Sequence, residues 1–231
     1  MCLIAIAHLA SSRFPLVIAA NRDEDHQRPT REAHAWDDAP RVVGGRDVLH
    51  VGTWLAMTRD GRFGAVTNLR GALPRSRSRG FLVRDFVMSQ QSPLEYAQAI
   101  EVEEYAGFHL LVGEAGSEVA YVASAAHALA PGIYGISNAP EGELWPKEAA
   151  VRNALDGDDP LEELFAFLGT SRDSGDPMQE AFITGERYGT RSSTVIVATP
   201  DALVFAEQSF GPGGVRVGER RTFSFAWAGR S

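Results

Sequence analysis

Residues 1–25 read MCLIAIAHLASSRFPLVIAANRDED. Two short apolar runs, residues 2–8 and 16–20, have the composition of β-strands. A polar break separates them, and the charged cluster Asn21-Arg22-Asp23-Glu24 closes the second. The opening superficially resembles a signal peptide. It lacks a basic leader, however, and its apolar stretch is interrupted by His8 and followed by the second strand, so it reads as folded protein.

Outward from this pair the strand signal continues at 53–58 and 63–68, which form a hairpin about Asp60-Gly61. Helical spacing follows at 78–90 and 93–105, with Ser92 as N-cap and Pro93 in the first helical position. Strands are expected again at 108–113, 119–124 and 132–137, helices at 146–155 and 160–168, a loop at 169–177, and strands at 194–199, 203–208 and 222–227. Gly44-Gly45 reads as a turn without the setting of a phosphate-binding loop. Blocks of strands alternating with blocks of helices imply antiparallel sheets with helices packed on them, an α+β protein rather than a chain of βαβ units. With 231 residues, 44% of them hydrophobic, the chain suits one domain over 1–231.

A formal charge of -8 leaves no electrostatic footprint for nucleic acid. One cysteine makes neither an internal disulfide nor a thiolate zinc site, which fits a reducing compartment. No apolar run is long enough to span a bilayer. A cytoplasmic protein without integral membrane association is expected. His8, His26, His34, His50, His109 and His127 show no metal-ligand spacing, so no metal is expected.

Cys2 follows the initiator methionine, and its small side chain permits removal of Met1. A free thiol titrates near ~8.5 and an α-amine near ~7.7 to 8.0, so an exposed α-amine would serve as base to its own side chain. The plainer reading is a small buried hydrophobe opening a strand. Arg22 with its acids is either a structural ion-pair cluster or a cation placed to stabilise a thiolate. Asn68 and Asn138 are turn residues closing strands, or amide groups for an oxyanion. Arg191 caps the sheet from a loop or binds a carboxylate. Trp54 reads first as a core aromatic and second as a ligand platform. Arg70, Arg75, Arg77, Arg79 and Arg84 form a solvated basic loop or, chiefly through Arg75, Arg77 and Arg79, an anion grip.

Taken together, Asn21-Arg22-Asp23-Glu24, Gly44-Gly45-Arg46-Asp47, Gly52-Thr53-Trp54-Leu55, Thr67-Asn68-Leu69-Arg70, Ser78-Arg79-Gly80, Gly107 to Gly113, Gly135-Ile136-Ser137-Asn138, Trp145-Pro146-Lys147 and Tyr188 to Thr194 resemble the NRDE family, the transport-and-Golgi-organisation-2-like proteins. His109 stands where that family more often has Asn. The family in turn is similar to the bile-salt hydrolase and penicillin V acylase group, in which a processed N-terminal Cys attacks a non-peptide amide. That resemblance implies the four-layer αββα sandwich of N-terminal-nucleophile hydrolases. It also implies site roles for Cys2, Arg22, Asn68, Asn138 and Arg191, and for one acid among Asp23, Glu24 and Asp25. Two functions are then expected. One is an amidohydrolase that requires no cofactor. The other is a non-catalytic carrier that binds haem, a lipid or acyl-coenzyme A in the former active-site groove, as the resemblance to eukaryotic members implies.

Overall fold

The computed structural model describes residues 2–155, 157–171, 174–176 and 178–227. In chain order the elements are β1 (Leu3–His8), β2 (Leu16–Asp25), β3 (Thr30–Trp36), β4 (Ala39–Asp47), β5 (Leu55–Thr58), β6 (Arg62–Asn68), α1 (Gly80–Met88), α2 (Pro93–Gln98), β7 (Phe108–Glu114), β8 (Val119–Val122), β9 (Ala126–Ala128), β10 (Gly132–Ile136), α3 (Pro146–Ala154), α4 (Pro160–Leu168), β11 (Tyr188–Ala198), β12 (Ala202–Phe210) and β13 (Arg216–Ala226).

The opening strands are apolar throughout because both of their faces are buried. Ile4, Ile6, Leu16, Ile18 and Ala20 point into a core shared with Val43, Met57, Phe63 and Leu111 of a second sheet. Leu3, Ala5, Val17 and Ala19 point the other way, onto Val151, Leu164 and Leu168 of α3 and α4. The first sheet runs β10-β1-β2-β11-β12-β13 and the second β3-β4-β5-β6-β7-β8-β9, with antiparallel pairing between neighbours. Leu82, Val83, Phe86 and Ala97 of α1 and α2 cover the second sheet's outer face over Val42, Leu110 and Val112. The result is the four-layer αββα sandwich. Each fully buried Leu, Ile or Phe contributes about 2 kcal/mol. Packing of this kind, more than helix propensity, holds a helix as short as α2. Ser92 assists with a full capping box to Glu95.

The hairpin about Asp60-Gly61 forms as expected, with Ala56 opposite Gly64. The expected helix over 93–105 instead ends at Gln98 and gives way to a 3-10 turn, Val102–Glu104. β3, β4 and β9 carry no clear strand signal, because each shows polar or exposed positions along its length. Gly44-Gly45 is not a turn but part of β4, and its glycines serve close approach. A Cβ on Gly44 would lie 2.6 Å from the Leu55 carbonyl, and one on Gly45 would lie 2.1 Å from the Trp54 ring. β2 runs on to Asp25, so Arg22 and Asp23 are strand residues. Arg191 lies in β11 rather than in a loop, at a break in register where Thr190 faces Asp23 and Ser192 faces Arg22. The described residues of 169–177 carry neither helix nor strand; residues 172, 173 and 177 lie outside the description. Among the described residues, no helix is long and apolar enough to cross a membrane.

Candidate active site around Cys2

Leu3 pairs with Asn21, which brings Cys2 beside the end of β2 where Arg22 and Asp23 stand. The thiol is half-buried and its sulfur lies 3.8 Å from the Asp23 carbonyl oxygen, a weak S–H donor contact. Above it opens a cavity of about 540 Å³ whose walls include Cys2, Arg22, Asp23, Asn68 and Asn138. Met1 lies outside the described residues.

Arg22 is buried, with its guanidinium stacked 4.3 Å from the Trp54 ring centroid and 3.5 Å from a Glu24 oxygen. Burial lowers its pKa, opposed by the charges of Glu24 and of Cys2 when ionised. A guanidinium stays protonated in spite of that lowering, so a cation stands beside the thiol. Asp23 is buried too, and its carboxylate accepts a 2.7 Å hydrogen bond from the Thr190 hydroxyl. Burial raises its pKa, and the Thr190 hydroxyl and the charge of Lys147 work against that rise. Lys147 is itself buried at the start of α3, and the same desolvation lowers its pKa against the pull of Asp23 and Cys2. Tyr188 donates its hydroxyl to the Asp23 carbonyl at 3.2 Å, and burial pushes its pKa far up, so it remains a neutral donor.

The two asparagines act as a pair. Asn138 Nδ2 donates to Thr67 Oγ1 at 2.7 Å and to the Asn68 carbonyl, and it lies 3.4 Å from Asn68 Oδ1. Those contacts fix which way each amide faces. Asn68 turns its oxygen to Asn138, and among the described residues its own NH₂ makes no hydrogen bond. Asn138 Oδ1 is buried without a donor among the described residues, leaving an unused acceptor on a cavity-lining residue.

The structure separates the remaining candidates. Asp23 and Glu24 reach the cavity, whereas the Asp25 carboxylate turns away to the Gln27 amide and Arg187. Arg191 does not join Cys2 either. It donates to the carbonyls of Asp25 and Arg28 and lines a second cavity of about 490 Å³ beyond the Arg22–Trp54 wall. Trp54 faces both cavities as well as packing on the inter-sheet core. Arg75, Arg77 and Arg79 do line the Cys2 cavity. Arg77 is paired with Glu104, and Arg79 donates to the Gly107 carbonyl. Arg28 and Arg70 bring the cavity's arginines to six, against the carboxylates of Asp23, Glu24 and Asp47. His109 bridges the Tyr121 hydroxyl and the Ala139 carbonyl and serves the fold.

Sequence reasoning gave no site role to Lys147, Tyr188 or Thr190, although each lies in a quoted motif. The available signal at Lys147 was a cation in the first turn of a helix, where the helix dipole disfavours it.

The chain matches the model of the Transport and Golgi organisation 2 family over residues 1–212. It is 32% identical to the Transport and Golgi organization protein 2 homolog of Bos taurus, over 87% of this chain and 88% of that protein. To the homolog of Homo sapiens it is 29% identical, over 94% of each. Among solved structures it resembles a Caenorhabditis elegans N-acylethanolamine-hydrolyzing acid amidase ortholog at 14% identity, with a TM-score of 0.57 over 85% of this chain and 92% of that one. It also resembles a mutant of the conjugated bile acid hydrolase from Clostridium perfringens at 10% identity, with a TM-score of 0.59 over 96% of this chain and 92% of that one. At these identities the likeness is one of fold, that of N-terminal-nucleophile hydrolases.

Proposed function

This chain belongs to the Transport and Golgi organisation 2 family, and from that premise we propose that it is an N-terminal-cysteine amidohydrolase acting on a non-peptide linear amide. The observation that carries the reading is the half-buried Cys2 thiol at a cavity wall, with the Arg22 guanidinium beside it and the Asp23 carboxylate buried on the same strand.

After loss of Met1, the Cys2 α-amine takes the thiol proton and the sulfur attacks the amide carbonyl carbon. Asn68 offers its free NH₂ to the oxyanion, and Asn138 Oδ1 accepts from the N–H of the departing nitrogen. The α-ammonium gives its proton to that nitrogen as the C–N bond breaks, leaving a thioester on Cys2. Water, deprotonated by the same amine, then releases the acid and restores the thiol. Asp23 holds the α-amine, and Thr190, Lys147 and Tyr188 hold Asp23.

The six cavity arginines favour a second reading, a carrier for an anionic ligand such as haem or acyl-coenzyme A. The test combines intact-mass measurement of untagged native protein with a panel of N-acyl amides. With Met1 removed, Cys2→Ala is expected to abolish turnover and an acyl mass adduct while preserving the melting temperature. Undiminished hydrolysis by the variant would refute the hydrolase. The carrier predicts saturable binding of haem or acyl-coenzyme A that survives Cys2→Ala and weakens when Arg75, Arg77 and Arg79 are neutralised. Binding absent, or indifferent to those arginines, rules the carrier out.

A further inference from the structure

Two loops stand at the mouth of the Cys2 cavity. Asp47, His50 and Thr53 of one, and Arg70, Ala72, Pro74 and Arg75 of the other, line the cavity itself. Interleaved with those lining residues are exposed apolar ones that do not line the cavity: Val48, Leu49 and Val51 in the first loop and Leu73 in the second. Leu49 is 60% exposed and Leu73 76%. Four of the eleven large apolar side chains exposed among the described residues thus sit in the two segments whose neighbouring residues line this one cavity. A single exposed leucine is ordinary, but a cluster around a cavity mouth marks an interaction surface. Val51 has φ 55°, a left-handed backbone that β-branched residues rarely adopt, so the first loop keeps its apolar tip at a cost in backbone strain.

Charge says what covers the cluster. Arg70 and Arg75 are exposed beside Leu73, and among the described residues neither has a carboxylate within salt-bridge distance. Apolar tips flanked by unpaired guanidinium groups suit a bilayer with anionic headgroups, which takes the tips among its acyl chains and the cations among its phosphates. We infer that this rim docks the protein on an anionic lipid surface with the mouth of the Cys2 cavity against the leaflet. An amphiphilic ligand then passes between bilayer and cavity without crossing bulk water. The formal charge of -8 repels such a surface over the rest of the molecule and so orients the approach. Docking of this kind serves a hydrolase and a carrier alike, and it does not depend on turnover at Cys2.

Co-sedimentation of the full chain with vesicles of phosphatidylcholine alone, and of phosphatidylcholine mixed with phosphatidylserine, tests the inference. Binding is expected to the mixed vesicles only and to weaken with salt. Leu49→Asp combined with Leu73→Asp should lower the bound fraction roughly tenfold or more. The rate of Cys2 alkylation by iodoacetamide, which reads an intact cavity, should stay unchanged. If the double variant fails to fold, Arg75→Glu alone must weaken binding to the mixed vesicles. No binding by the native protein, or equal binding by the folded variants, overturns the inference. So does a dimer in light scattering that the double variant converts to monomer, since the rim would then belong to a second copy of the chain.

Discussion

Burial pushes the carboxyl groups of Asp23 and Glu207 above the ordinary carboxylate range, and they answer it differently. Asp23 borders the cavity, whereas Glu207 ties the two sheets together by accepting from the Ala33 amide at 2.7 Å and the Thr194 hydroxyl at 3.1 Å. An acid raised in the folded state holds its proton more tightly folded than unfolded. Its presence favours the fold most below the unfolded value, about 4.3 for Glu, and that advantage is lost as pH climbs through the folded value. Glu207→Gln keeps an acceptor but cannot ionise. Its melting temperature is therefore expected to decline less than the native protein's as pH rises from about 4.3 to neutrality. Parallel curves for the two proteins would show that Glu207 does not contribute to the decline. Cys2 and Arg22 could be named from the sequence only because the ordered motifs resemble a known family; position alone favoured a buried hydrophobe at Cys2 and fitted an ion-pair cluster at Arg22 equally well. That Asp23 borders the cavity while Asp25 turns away was not legible there. It depends on Asp23 meeting Thr190 across β11 while the Asp25 carboxylate folds back on its own turn. Nor was the place of Arg191, which depends on a register break between two strands distant in the chain.

Elements were legible where their periodicity was clean. The Asp60-Gly61 hairpin and the Ser92 cap follow from local chemistry, and both occur as the sequence predicts. β3 and β4 were missed because glycines and charges inside a strand look like a loop. Gly45 shows why they are there: its bare backbone is the floor on which Trp54 lies, and Trp54 in turn carries Arg22. Gly45→Ala is expected to overpack this stack and destabilise the protein by about 1–3 kcal/mol. Urea denaturation reads this as a lower midpoint with unchanged slope. A midpoint equal to that of the native protein would mean that Trp54 moves aside freely and does not hold Arg22 in place.

For the whole molecule, composition and block order announced antiparallel sheets with helices outside, and layering is what such information carries. The order of strands within a sheet is set by long-range pairing, which leaves no local trace. β1 lies between β2 and β10, with Ile4 facing Ile136, and β2 lies between β1 and β11, with Asn21 facing Ser193. This topology gives the site a history. The β1–β2 hairpin, joining Cys2 to Arg22, needs only the first few dozen residues to form. The strand bearing Thr190, which fixes Asp23, is made much later. At ~5–20 residues per second, the ribosome takes roughly ten to thirty seconds to travel from one to the other. During that interval Asp23 lacks the Thr190 hydroxyl that anchors it, and for most of the wait β1 lacks its neighbour β10. Oxidants, acylating metabolites and processing enzymes therefore meet a different cysteine on the growing chain from the one that the finished fold presents.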